Sequence, residues 1–193
     1  MVLPVVALPP PKPPKPPGDV ILDNVILGPL IAPSEAKRFY GVRTIVACFC
    51  GYVPATPDID VIQFKYDDSP DQLLPLDEAA DAIFWATQKG PVYVHCHAGI
   101  SRSPSLVIAY IMKYHQPPCG RSMAAALEFV RSKRGCVDPN PGFVIQLKDY
   151  ERKLNAAVRC RRKRLKRVRS PEVVDFVRKL YKVDRPPPAN LFQ

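Results

Sequence analysis

The chain has 193 residues, 47% hydrophobic and 24% charged, enough for one average domain with an ordinary core plus short extensions. Its formal charge of +10 is confined to one end: residues 1–151 carry a net of −1 and residues 152–193 a net of +11, so the last fifth would address any electrostatic partner. No apolar run approaches the ~18 residues of a membrane-spanning helix, and residues 1–17 lack a cationic start and are broken by prolines, so an intracellular protein without structural disulfides is expected.

In chain order, residues 9–17 form a proline-rich arm that cannot supply the backbone donors of a helix or sheet and reads as extended polyproline II, either a mere flexible extension or a segment able to fit an SH3-like groove. The folded domain is expected over residues 19–157. Residues 20–28 are short, apolar and β-branched and read as a strand. Ser34 is placed to cap a helix over 35–40. Residues 43–48 and 61–64 read as buried strands. Residues 75–88 carry apolar side chains at helical spacing, with acids near the start. Residues 92–95 form another strand, a Gly- and Ser-containing turn follows, and an apolar helix runs over about 103–114. Ser122 caps a helix through 134, and 141–157 gives one more. Strands alternating with helices predict an α/β fold: a mostly parallel, mixed sheet of about five strands with helices on both faces. Residues 158–193 read as a basic tail, with a short amphipathic pattern at Val173, Val174, Val177, Leu180 and Tyr181 and a proline block at 186–188.

The six cysteines stand at 48, 50, 96, 119, 136 and 160, without the C-x₂-C spacing of a zinc site. Cys119, Cys136 and Cys160 read as small buried hydrophobes. Cys96 is different. It stands where a buried strand enters a tight loop, and Arg102 lies six residues on, at a helix start. A helix N-terminus presents unpaired N–H groups and partial positive charge, and successive loop N–H groups can wrap an oxyanion. Gly99 permits a turn that a side chain would obstruct, and Arg102 can grip two phosphate oxygens with its planar fork. The same field favours the Cys96 thiolate.

The run His95-Cys96-x-x-Gly99-x-x-Arg102-Ser103 resembles the HCxxGxxR[ST] signature of cysteine-dependent protein phosphatases. The longer stretch HCHAGISRSPSLVIAYIM resembles their dual-specificity branch, as do residues 109–112 and the segment 136–147, which is similar to its PNxGFxxQL motif. The resemblance covers about residues 19–155. It implies a protein tyrosine phosphatase-like fold and hydrolysis of phosphotyrosine, phosphoserine and phosphothreonine through a phosphocysteine. It implies Cys96 as nucleophile, and His97, Ala98, Gly99, Ile100, Ser101 and Arg102 as the phosphate-binding loop. Ser103 would stabilise the sulfur as leaving group, or serve only as a helix cap. His95 and Asn140 would brace the site, unless Asn140 is only a turn residue between two prolines. An acid is needed to protonate the leaving oxygen. The residues alone offer Asp67, Asp68 and Asp71; the family pattern selects Asp68. No cofactor and no metal is called for, since the loop supplies the positive charge. The loop lacks the lysines of lipid-directed relatives and the CTHGFNRT-like loop of RNA 5′-phosphatases. An RNA 5′-phosphatase or other non-protein phosphatase, or a non-catalytic phosphate-binding scaffold, are the alternatives.

Residues 159–169 hold eight basic residues in eleven, which suits a nuclear import receptor, an acidic surface, nucleic acid, or simply a solvated helix face. This favours the nucleus alongside the cytoplasm. Cys48 and Cys50 end a strand expected near the one before Cys96, which would make either a disulfide partner for an oxidised Cys96.

Overall fold

In the structure, a computed structural model that describes residues 16–115 and 122–168 (161–168 by backbone alone), the run read as one strand over 20–28 is two. Asp23 and Asn24 turn the chain, and β1 (Asp19–Leu22) folds back antiparallel on β2 (Val25–Gly28). Asp and Asn favour turns because their side chains bond nearby backbone, and here that local preference divides an otherwise continuous β pattern. The expected cap Ser34 lies inside α1 (Pro33–Tyr40). Ala32 is the N-cap without a side-chain bond, and Pro33 opens the helix, where its fixed φ and missing N–H are harmless.

β3 (Thr44–Cys48), β4 (Asp60–Phe64), α2 (Leu76–Thr87), β5 (Val92–His95), α3 (Arg102–Tyr114) and α4 (Met123–Lys133) lie where the sequence places them. Ser122 does cap α4, accepting the Ala125 N–H at 3.4 Å. α5 (Pro141–Val168) does not stop near residue 157; its backbone stays helical through the basic run to Val168.

The sheet is mixed, with strand order β1-β2-β5-β3-β4, and only the β1–β2 pair is antiparallel. Its side chains alternate between two cores. Ile26, Ile45, Ala47 and Tyr93 pack with Ala36 of α1. Leu27, Val46, Cys48, Val92 and Val94 face the other layer, where Ile83, Leu106, Ile111, Ala126 and Leu147 come from α2 to α5. Ser103 through Met112 of α3 are all buried, which explains why this helix is apolar on nearly every face.

Parallel pairing brings the carboxyl ends of four strands to one edge: Gly28 pairs with His95, His95 with Ala47, and Cys48 with Phe64. The loops leaving that edge, 29–32, 49–59, 65–75 and 96–101, surround the place where open α/β sheets bind ligands. Cys136 and Cys160, read as buried, are exposed: one lies in the turn after α4, the other on the far part of α5. The arm before residue 16, Cys119 and the amphipathic pattern at 173–181 lie outside the described residues. No helix among those residues is long and apolar enough to cross a membrane.

Candidate active site

β5 ends at His95, and the chain turns at once into the loop that carries Cys96, 1% exposed. The loop must bend sharply to reach the start of α3 at Arg102. Gly99 makes the bend with φ +69, and a Cβ there would stand 2.5 Å from the Gly28 carbonyl carbon and oxygen at the end of β2. Glycine is required both for the backbone conformation and for the space.

The turn directs donors onto one sulfur. Gly99 N–H donates to Cys96 Sγ at 3.2 Å and Ser103 Oγ–H at 3.3 Å. Burial opposes ionisation of the thiol, but the Ser103 hydroxyl and the N–H groups of Ser103, Gly99 and Ile100 outweigh it, so the thiol is more acidic than an ordinary cysteine. Ser101, not Ser103, is the N-cap residue of α3, and it makes no side-chain cap bond. The Ser103 hydroxyl is thus turned to the sulfur. His95 is fully buried, its Nδ1 is 3.0 Å from the Cys96 carbonyl oxygen, and burial holds its imidazole toward the neutral form. A neutral ring with Nδ1–H donating fixes the first peptide of the loop.

Asp68 comes from the loop after β4. Its Oδ1 accepts from Ser101 Oγ–H and from Asn140 Nδ2–H, both at 2.7 Å. Its Oδ2 faces Arg102 Nε at 3.5 Å. Arg102 Nε is buried with no hydrogen-bond partner among the described residues, and its side chain is only 14% exposed. Of the three acids, Asp68 is the one hydrogen-bonded to the Cys96 loop. Asn140 sits just before α5, where its Oδ1 accepts the Phe143 N–H at 3.0 Å as a helix cap, and its N–H donates to Ser101 Oγ at 3.1 Å.

The first turns of α5 clamp the whole acid-bearing loop. Gly142 lies so close to the Pro70 carbonyl that any Cβ would collide with it. Phe143 meets Tyr66 edge to face, with ring centroids 6.5 Å apart. Gln146 accepts the Leu74 N–H at 2.9 Å and donates to the Gln72 carbonyl at 2.8 Å. Sequence reasoning had the segment 136–147 but no role for Gln146. The signal is its spacing of four from Gly142, which sets both on the helix face toward residues 70–74. Arg134, at the end of α4, was missed altogether, although its fork reaches the Ala98 and Gly99 carbonyls. An Arg at a helix C-terminus is ordinary, and nothing in its surroundings marks it out. β3, which ends at Cys48, lies beside β5, and burial pushes the Cys48 thiol well up.

A buried, acidified sulfur ringed by N–H donors, a guanidinium with an open donor and a carboxylate beside it form a cradle for a tetrahedral oxyanion. The family described as dual specificity phosphatase, catalytic domain, matches residues 40–153. The chain belongs to this family. The phosphatase is 37% identical over 144 residues to Dual specificity protein phosphatase 1 of Arabidopsis thaliana, covering 72% of this chain and 71% of that one. It is 39% identical over 131 residues to Dual specificity protein phosphatase 1B of the same plant, covering 64% and 76%. It superposes on the crystal structure of human DUSP28 with a TM-score of 0.64 at 29% identity, covering 75% of this chain and 99% of that one. The protein is a cysteine-dependent dual-specificity protein phosphatase.

Proposed function

We propose that the phosphatase hydrolyses phosphotyrosine and phosphoserine or phosphothreonine esters with Cys96 as nucleophile and Asp68 as acid and base. The Cys96 thiolate attacks phosphorus in line, while Arg102 and the N–H groups of residues 97–102 hold the equatorial oxygens. As the P–O bond breaks, Asp68 gives its proton to the departing oxygen. Ser101 and Asn140 tie Oδ1, which leaves Oδ2 as the oxygen free to pass the proton. In the second step Asp68 takes a proton from water, the hydroxide oxygen attacks phosphorus, and the S–P bond breaks with its electron pair returning to sulfur. The Ser103 hydroxyl stabilises that sulfur as it leaves. His95 and Asn140 brace the site without touching the substrate.

The observation that supports this most is the convergence on Cys96 Sγ of the Gly99 N–H and the Ser103 hydroxyl, with Asp68 and Arg102 alongside. The test compares rates on phosphopeptides, an aryl phosphate and 5′-triphosphorylated RNA. Phosphopeptide turnover that Cys96→Ser abolishes and a metal chelator leaves intact is expected. Faster RNA turnover would favour the non-protein reading, and no turnover at all a binding scaffold. For partners, residues 159–169 are proposed to address an acidic surface such as an import receptor, their helical backbone continuing α5 as far as Val168.

A further inference from the structure

The six carbonyls of residues 96–101 all have partners outside the ring of donors. His95 Nδ1 lies 3.0 Å from that of Cys96, and the Leu30 N–H meets that of His97 at 2.9 Å. The Asp138 N–H meets that of Ile100 at 2.8 Å, and the Ser105 hydroxyl that of Ser101 at 2.8 Å. The remaining two belong to one side chain. Arg134 Nη2–H donates to the Ala98 carbonyl at 3.1 Å and Nε–H to the Gly99 carbonyl at 3.0 Å.

The peptide unit is planar and trans, so a carbonyl and the following N–H point in opposite directions. Turning the Ala98 carbonyl outward turns the Gly99 N–H inward; turning the Gly99 carbonyl outward turns the Ile100 N–H inward. These are the N–H groups that, with that of Ser103, bear on Cys96 Sγ. We propose that Arg134 is a positioning residue of the phosphate-binding loop: its fork fixes the two peptide planes whose N–H groups face the sulfur and, in turn, the bound phosphoryl oxygens. The inference rests on Cys96 being the nucleophile.

Three details fit. The Arg134 side chain is 10% exposed, so its fork is not a solvated surface group. Its Nη1–H is held by Asp19 Oδ2 at 2.7 Å at the start of β1, which sets the plane of the guanidinium. A charged donor on a carbonyl polarises that peptide and strengthens its N–H as a donor on the other side. Lysine cannot reproduce this, since it has no planar fork to meet two adjacent carbonyls and a carboxylate at once.

The test uses the full chain with Arg134→Lys and Arg134→Met, assayed below their own melting temperatures. Three quantities are read: the pH midpoint of Cys96 alkylation by iodoacetamide, vanadate affinity, and the dependence of kcat/KM on leaving-group acidity across aryl phosphates. The midpoint should rise by about one unit and vanadate binding weaken by about tenfold, with the leaving-group dependence unchanged because Asp68 is untouched. A folded variant with wild-type alkylation and wild-type vanadate affinity overturns the assignment. Asp19→Asn loosens the same fork from its far end and carries the test if neither Arg134 variant folds. Activity surviving Cys96→Ser would instead defeat the underlying mechanism, whatever Arg134 does.

Discussion

Asn140 reaches Asp68 across 72 residues of sequence: its Nδ2–H donates to Oδ1 at 2.7 Å while its own Oδ1 caps α5 through the Phe143 N–H. One side chain thus starts the helix and orients the Asp68 carboxyl. Asn140→Ala should cost about 1 kcal/mol of stability through the lost cap. Turnover should fall more steeply for phenyl phosphate than for nitrophenyl phosphate, because only the poorer leaving group needs the proton. Equal losses on both esters would mean that the contact does not orient Asp68.

Asp68→Asn removes the proposed proton donor and leaves the Ser101 and Asn140 contacts able to form. Turnover of alkyl phosphates should drop by about 10²–10⁴. Steady-state rates on phosphoserine peptides measure this directly, and the same experiment on Asp67→Asn should leave them near wild type.

The acidified Cys96 thiol fixes the sign of a pH effect. Activity needs the thiolate, so its rising limb should lie below the ordinary thiol range of about 8.5. Burial alone would push the limb up, and the Ser103 hydroxyl is the largest of the groups that pull it down. Ser103→Ala should therefore move the limb to higher pH and slow the second step, seen as a larger pre-steady-state burst. A group whose pKa is depressed on folding contributes stability above its unfolded pKa and loses it as pH falls through the folded one. For Cys96 that contribution is complete only in alkaline solution and fades toward acid.

Gly142→Ala would force a methyl group into the Pro70 carbonyl. Overpacking of this kind costs about 1–3 kcal/mol, read as a lowered Tm. The displaced segment carries Asp68, so the variant should also show the leaving-group sensitivity predicted for Asn140→Ala.

Asp77 ties three helices together, accepting from Lys113 at 2.8 Å and from the Tyr150 hydroxyl at 2.7 Å. The Lys113 bond, then the Tyr150 bond, hold its carboxyl below the usual carboxylate range against a smaller opposing effect of burial. The pair stabilises the fold above the unfolded Asp value of about 3.9 and is lost as pH falls below it. The group is largely exposed, so Asp77→Asn should cost no more than about 1 kcal/mol at neutral pH. Its urea midpoint should converge on that of wild type in acid.

The strands, the helices and Cys96 with Arg102 were legible because each depends on local chemistry: an alternating or continuous apolar run, a cap, a glycine before a helix. The division of residues 20–28 was readable in Asp23-Asn24, but the apolar residues on either side masked it. The contacts of Asp68 were not readable. Three neighbouring acids have the same local environment in sequence, and what separates them is α5 arriving from the other end of the domain. Arg134 was hidden for the same reason, since its role lies in carbonyls 35 and 36 residues away.

α5 begins beside the acid and runs unbroken to Val168, 28 residues in all. At 1.5 Å per residue this is a rod of about 40 Å. A partner held by the positively charged far end would therefore stand at a set reach from the reaction centre. Phosphoesters within that span would be presented repeatedly, and those beyond it would gain nothing from the tether.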